Sequence, residues 1–377
     1  MVETPSSSPR LRVGFDDQIF QAQTRGGISK YFVELVERLP DQGIDPVILS
    51  SRTRNRHLIE SGLVPGAPPL SPLRARAEWI SWRLWGWPRS TPRPTPQIDL
   101  MHHTFTLAPY LNAWRGPRVV TVFDMTPELF PRYFPWGNPH FAKRRYVEGC
   151  DAVISITRNT ADDLFRLYSD DLRPKTHIIP FGVGESFFER RPDRIDLPAR
   201  YLLFVGVRSG YKDFKTGFQA FSQFAAGDAA LTLVVVGGGP FTDAERALIV
   251  RSGMQGRVIK MAPTDDDMPE MYRRAAAFVF PSIYEGFGLP TLESLASGTP
   301  TVLADASCSR EVGGDAALFF TPGDPIDLVA KLTRALSPDE ARRAADQGPR
   351  RGREFSWSQV ASMTADLYRS LIKKENR

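Results

Sequence analysis

Two hydrophobic signatures alternate along the chain. Short, almost continuously apolar runs read as strands covered on both faces, and stretches with apolar residues three and four apart read as helices. Leu11 to Phe15 is the first such run. A loop to Gly26-Gly27 and a helix over about 28–39, with Ile28, Phe32, Leu35 and Val36 on one side, complete a βα unit. Further strands are expected at 46–49, 119–123 and 152–156, separated by helical stretches such as 159–168. The pattern breaks at 180–185, and a charged, proline-bearing stretch runs over 189–200. It then restarts with apolar runs at 201–206 and 231–237 and shorter ones at 258–261, 278–280 and 300–303. This alternation predicts an α/β protein of two Rossmann-like, doubly wound domains, 1–185 and 186–355, facing a central cleft, with ligand at the carboxyl ends of the strands. A last helix over 358–373 sits in a third segment, 356–377.

The stretch Pro281-Ser282-Ile283-Tyr284-Glu285-Gly286-Phe287-Gly288-Leu289-Pro290-Thr291-Leu292-Glu293 follows one of the second-half strands. Pro281 ends the strand, the glycines let backbone approach a ligand closely, and Pro290 suits the first turn of a helix. The unpaired N–H groups and positive dipole end of that helix form a site for a diphosphate. Glu285 and Glu293 add carboxylate acceptors for hydroxyls on either side of it.

This E-x7-E element, written YEGFGLPTLE, resembles the retaining glycosyltransferases of family 4, which have the GT-B arrangement of two Rossmann-like domains. The resemblance covers most of the chain. It implies that Glu285 contacts donor-sugar hydroxyls, that Glu293 contacts the nucleotide ribose, and that Gly286, Phe287, Gly288 and Leu289 surround the donor. It also implies that the last helix crosses back to the first domain. Arg208 and Lys212, just past the strand at 201–206, match a family loop whose cations stabilise the departing nucleoside diphosphate. Tyr211 departs from the family's Arg-Lys form, and Arg208 is the substitute cation. Gly26 and Gly27 resemble the family's glycine loop facing the donor phosphates. Asp124, in Phe123-Asp124, stands where similar members write His-Asp; His103 is the alternative source of an imidazole. The catalytic set is thus Asp124, Glu285, Lys212, Arg208 and His103. Plainer alternatives exist for each: solvated surface charges, an ordinary βα turn at Gly26-Gly27, and a buried, satisfied histidine at 103. Asp265-Asp266-Asp267 reads as a helix start rather than a metal site, since carboxylates are favoured there.

Composition narrows the partners. The chain has 377 residues, 42% hydrophobic and 24% charged, with a formal net charge of +5, which fits roughly two soluble domains and demands no nucleic acid. Two distant cysteines indicate neither a disulfide framework nor a zinc site. No apolar leader or membrane-length run is visible, so a cytoplasmic protein is expected. One segment is unusual: 52–93 holds eight arginines and no lysine, with Trp79, Trp82, Trp85 and Trp87 within nine residues. It reads either as an aromatic lid on the first domain or, favoured by the arginine excess, as a peripheral contact of residues 73–93 with anionic lipid on the inner face of the plasma membrane.

The resemblance therefore implies a metal-independent, retaining hexosyltransferase without a cofactor. Its donor would be a nucleoside-diphosphate sugar, GDP-mannose favoured, and its acceptor a glycan or lipid-linked glycan in surface polysaccharide synthesis. A GT-B-type UDP-sugar epimerase and a non-catalytic binding module are the alternative readings.

Overall fold

In the computed structural model, residues 10–50, 53–64, 97–107, 114–134, 140–190, 194–208 and 210–375 are described. The Trp79 to Trp87 cluster and the whole of 73–93 lie outside them. The chain divides into two units, residues 1–181 with 357–377, and residues 182–356.

Apolar runs become parallel strands in both units. The first unit contains β1 (Leu11–Phe15), β2 (Ile44–Ile48), β3 (Leu100–His103), β4 (Arg118–Val122), β5 (Ala152–Ser155) and β6 (Thr176–Ile178), in the order β2-β1-β3-β4-β5-β6. The second contains β7 (Tyr201–Val205), β8 (Thr232–Val236), β9 (Val258–Met261), β10 (Ala277–Phe280), β11 (Thr301–Ala304) and β12 (Leu318–Phe320), in the order β12-β11-β10-β7-β8-β9. All the described pairings are parallel, which explains why Val120, Val153, Leu203, Val235 and Val302 are wholly buried. Pro46 is tolerated because β2 is an edge strand. β3, β6 and β12 lie outside the expected strands: β6 and β12 have only three residues each, too few for a periodic signal, and β6 is an exposed edge.

Sheet growth reverses once in each unit, between β1 and β3 in the first and between β7 and β10 in the second. At such a reversal the loops leave the strand ends in opposite directions and open a crevice, the usual ligand position in open α/β sheets.

Helices set the loops that matter below. α1 (Gly27–Arg38) follows β1, and α2 (Phe214–Ala225) follows β7. α3 (Leu289–Ala296) follows β10, and α4 (Trp357–Glu375) is the last helix. Trp357, Val360, Ala361, Thr364, Ala365 and Tyr368 of α4 are buried, a spacing of three and four that makes one apolar stripe. Each large side chain so buried stabilises the docking by roughly 1.5–3 kcal/mol. Trp357 meets Tyr31 of α1 and Phe181 edge-on, at centroid distances of 5.7 and 6.1 Å, so α4 belongs to the first unit. Val183 bridges Ser356 in parallel, pairing the two stretches where the chain changes units.

A polar contact pins α4 to the sheet. His102 of β3 is fully buried, with Nδ1 2.6 Å from Tyr368 Oη and Nε2 2.8 Å from Thr121 Oγ1. Burial, then the neighbouring His103, drives the His102 ring down to about 3 from an ordinary 6.5. His140 is displaced the same way, to about 4, by burial and by Lys143.

Between pH 6.5 and about 3 the unfolded chain therefore binds a proton at His102 that the native state refuses. The stability contributed by the neutral ring is fully present above pH 6.5 and is lost as pH falls, by about 1.4 kcal/mol per unit. Thermal melts should be level from pH 8 to 7 and drop steeply from pH 6 to 4. Tyr368→Phe should cost about 1–3 kcal/mol at pH 7, because it leaves a buried ring nitrogen without its partner. A melting temperature flat down to pH 4 would contradict this account.

Candidate active site

In the second unit, Lys212 and Glu285 are brought together from 73 residues apart. Lys212 ends the turn after β7, and Glu285 lies in the loop after β10, so the two flank the point where sheet growth reverses. Lys212 Nζ lies 2.5 Å from Glu285 Oε1, with both side chains mostly buried. The Lys212 ammonium is also 5.3 Å from the Phe280 ring and 5.4 Å from the Tyr211 ring. The Tyr211 carbonyl accepts from Ile283 N–H at 2.8 Å and from Ser282 Oγ at 3.3 Å, which ties the two loops together. Asp213, the next residue, is held at φ 44° and caps α2 by accepting from Thr216 N–H. A non-glycine residue in that conformation is strained, and here the strain sits beside the cation.

Gly288 caps α3 at φ 82°, a conformation that favours glycine, and no side chain caps this helix. The start of this helix borders an open recess of about 230 Å³ lined by Glu285, Phe287, Gly288, Thr291, Ser307 and Cys308 among others. Leu289 is the first helical residue, and Gly286 lies between Glu285 and the cap. Glu293 lies farther along α3 and accepts from the buried Tyr272 hydroxyl at 3.0 Å.

Arg208, expected to face the donor phosphates, has partners of its own in this structure. Its Nε donates to Glu245 at 2.9 Å, and its terminal nitrogens donate to the carbonyls of Gly237, Gly239 and Pro240 at 2.9–3.1 Å. The side chain is 5% exposed and its guanidinium lies over Phe241. The charge is thus neutralised in place, and the arginine clamps the glycine turn after β8. That turn has Gly237 and Gly238 at φ 88° and 63°, and a Cβ on Gly238 would stand 2.9 Å from Arg208.

In the first unit the same kind of reversal holds a different pair. Asp16 follows β1, His103 ends β3, and His103 Nδ1 lies 2.7 Å from Asp16 Oδ2. Asp16 also accepts from Gln18, the Thr104 hydroxyl and the Thr104 N–H at 2.6–3.0 Å. Burial pushes its carboxyl up, but these bonds, with His103 foremost, outweigh burial and hold it below its ordinary value. His103 Nε2 is buried and has no described partner. Gly26 and Gly27 open α1, where Gln23 Oε1 takes the Ser29 N–H and nothing lies within 4 Å of a Cβ built on Gly27.

Asp124, after β4, lines a second pocket of about 310 Å³ with Thr106, Thr121, Phe123, His140 and Lys143. Its Oδ1 accepts the Thr126 N–H at 2.8 Å. Burial raises its pKa, yet Lys143, His140 and the Thr126 bonds together hold it below the ordinary carboxylate range. Lys143 Nζ donates to the Asp124 carbonyl at 2.9 Å and to Glu128 at 3.0 Å. At neutral pH the pocket therefore holds an ionised Asp124 and, from its depressed pKa, an uncharged His140. Phe123 packs edge-on against Tyr31 and Phe32 and tilted against Phe181, at centroid distances of 5.2–5.9 Å.

Sequence reasoning passed over Lys143, His140 and Ser307. Lys143 opens a Lys-Arg-Arg run that looks solvated, and Arg144 and Arg145 are exposed while Lys143 is buried. A lysine at a helix start, where the dipole disfavours cations, was the available signal.

Comparison with known proteins agrees with this architecture. The model of glycosyl transferases group 1 matches residues 186–351, and that of Glycosyltransferase Family 4 matches residues 25–187. The Escherichia coli O-antigen chain mannosyltransferase B is 27% identical over 277 residues, 68% of this chain and 71% of that protein. The MMP alpha-(1->4)-mannosyltransferase of Mycolicibacterium hassiacum is 30% identical over 242 residues, 62% of this chain and 57% of its own length. The D-inositol 3-phosphate glycosyltransferase of Xylanimonas cellulosilytica is 28% identical over 323 residues, 80% and 71% of the two chains. Among solved structures, sucrose-phosphate synthase from Thermosynechococcus elongatus aligns with a TM-score of 0.71 at 20% identity, covering 97% of this chain and 100% of that one. Anabaena HepE in complex with UDP and glucose aligns with a TM-score of 0.71 at 16% identity, covering 96% and 100%. With two family models matched end to end along most of its length, the chain belongs to glycosyltransferase family 4, as a mannosyltransferase-like member with the GT-B fold.

Proposed function

We propose that the protein is a retaining, metal-independent hexosyltransferase that moves a hexose, mannose favoured, from a nucleoside-diphosphate sugar to a glycan or lipid-linked glycan in surface polysaccharide assembly. The observation that carries this reading is the Lys212–Glu285 pair beside the uncapped start of α3. It provides a cation, the positive end of a helix and a carboxylate at one strand-end crevice, the set that a sugar diphosphate requires. The mannosyltransferase names among the relatives support mannose, and GDP-mannose is the donor to try first.

In this reading the diphosphate lies against the first turn of α3, where Lys212 neutralises the charge that grows on the leaving group. Glu285 then accepts from sugar hydroxyls, and Glu293, oriented by Tyr272, accepts from the ribose. The departing diphosphate takes the acceptor's proton, so no protein nucleophile is required. Asp124 and the uncharged His140 offer hydrogen bonds to a sugar in the first-unit pocket. With Arg208 fully paired to Glu245 and the 237–240 turn, its contribution is to the shape of that turn. Contact of residues 73–93 with anionic lipid would bring a lipid-linked acceptor to the enzyme; the support for it is the tryptophan and arginine content of that segment.

A thermal-shift series with GDP-mannose, UDP-glucose, GDP and UDP tests the donor, since a ligand that binds only the native state raises its melting temperature. A shift with the GDP compounds and none with the UDP compounds is the expected result; no shift with any nucleotide would end the reading.

Kinetics separate the two motif carboxylates. Glu293→Ala should raise donor KM by roughly 10-fold or more, as expected for a lost hydrogen bond to a charged group, and leave kcat nearly intact. Glu285→Ala should mainly lower kcat, because contacts to a sugar gaining positive charge strengthen in the transition state. Lys212→Ala should cost roughly 10²–10³ in kcat. Activity should persist in a chelator, and a strict requirement for a divalent ion would count decisively against Lys212 as the neutralising group.

A further inference from the structure

Glu285 precedes α3, so its backbone lacks the helical hydrogen bonds that fix Glu293. Two side chains from the loop after β11 supply them. The Glu285 N–H donates to Ser307 Oγ at 3.0 Å, and the Cys308 thiol donates to the Glu285 carbonyl at 3.3 Å. β10 and β11 are parallel neighbours in register, Phe280 opposite Leu303, so their following loops leave the sheet side by side.

Ser307 is held at φ 46°. Among the described non-glycine residues only Ser307 and Asp213 have positive φ; Asp213 directly follows Lys212, and Ser307 bonds the backbone of Glu285. The two strained positions thus adjoin the two members of the ion pair. Glycine would take the conformation at 307 without strain, but it has no hydroxyl to accept the Glu285 N–H. The loop is otherwise anchored by Ala306 N–H to Ser309 Oγ at 3.1 Å and by Arg310 to Asp305. The Ser309 N–H also donates to the Ala306 carbonyl at 3.0 Å, closing a tight turn whose second residue is Ser307, and the positive φ of that turn presents the hydroxyl to the Glu285 N–H.

We propose that Ser307 is a positioning residue for sugar transfer: its hydroxyl, presented from a left-handed backbone, fixes Glu285 so that the carboxylate meets both Lys212 and the donor sugar. The proposal rests on the assignment of Glu285 to the donor sugar made above. Its signature is an opposition between stability and turnover. Ser307→Gly relieves the backbone while removing the acceptor, and Ser307→Thr keeps the hydroxyl while adding a β-branch that resists positive φ.

The test measures melting temperature, kcat and donor KM for S307G, S307T, E285Q and the double variant S307G/E285Q, using the sugar nucleotide that gives the largest thermal shift. S307G should melt at or above the wild-type temperature, yet lose roughly 10- to 100-fold in kcat with little change in KM, the size of effect that a small misplacement produces. S307T should melt lower and keep most of its kcat. S307G/E285Q should be no slower than E285Q, since both changes disable one group. If E285Q is impaired while S307G turns over like wild type, Ser307 has no positioning role. If the double variant multiplies the two losses, Ser307 acts by another route and the proposal fails. If E285Q itself keeps wild-type kcat, the assignment of Glu285 falls and this inference with it. S307G and E285Q decide the matter even where S307T does not fold.

Discussion

Lys212 and Glu285 can meet only because β7 and β10, separated by two intervening strands in the sequence, lie side by side in the sheet. Leu202 pairs with Ala277 and Leu203 with Phe278, and this register brings the two loops out at the same level. A slip of one residue would turn every side chain of β10 to the other face and remove both the buried aromatic contact and the ion pair. Bringing a lysine and a glutamate largely out of water carries a desolvation cost that their attraction offsets only with good geometry. That geometry is supplied from outside the pair: the Tyr211 carbonyl ties the loops, Asp213 turns the chain, and Phe280 floors the ammonium.

The first unit solves the same topological problem with more hydrogen bonds. Asp16 has both carboxylate oxygens occupied by Gln18, His103 and Thr104, and it draws β1, β3 and the start of the following loop into one network. Such saturation makes Asp16 a structural acid, whereas Glu285, with Lys212 on one oxygen, remains open to exchange. Asp124 lies between these extremes. Its backbone carbonyl is held by Lys143 and one oxygen by Thr126, while the side chain still borders a pocket.

What could be read from the sequence follows from how local each signal is. Glu285, Gly288 and Glu293 form one contiguous string whose turn and helix start are dictated by Pro281, the glycines and Pro290, so the loop and helix emerge where the string predicts them. Lys212 ends the turn that follows its strand. Arg208 carries the same local signal, but its partners in the 237–240 turn and at Glu245 are encoded by no pattern around 208. Lys143, marked only by its place at a helix start, and Ser307, marked by nothing, escape for the same reason: one is buried by the packing of its helix, the other is defined by a backbone angle and a contact to a neighbouring loop. The alternation of strands and helices was legible because burial on both faces requires continuous apolar runs. The three-residue strands, β6 and β12, are held by neighbours rather than by their own composition.

The membership of α4 in the first unit has a consequence for synthesis. Residues 182–356 are contiguous, so the second unit holds all of its segments as soon as it has been made. The first unit does not. Its α1 face, the His102 ring and the edge of Tyr31 wait for Trp357 and Tyr368, which follow after the whole of the second unit. At translation rates of 5–20 residues per second that interval lasts roughly 10–40 s. During it, an apolar stripe on the nascent chain stays open to chaperones, and the domain made first is completed last.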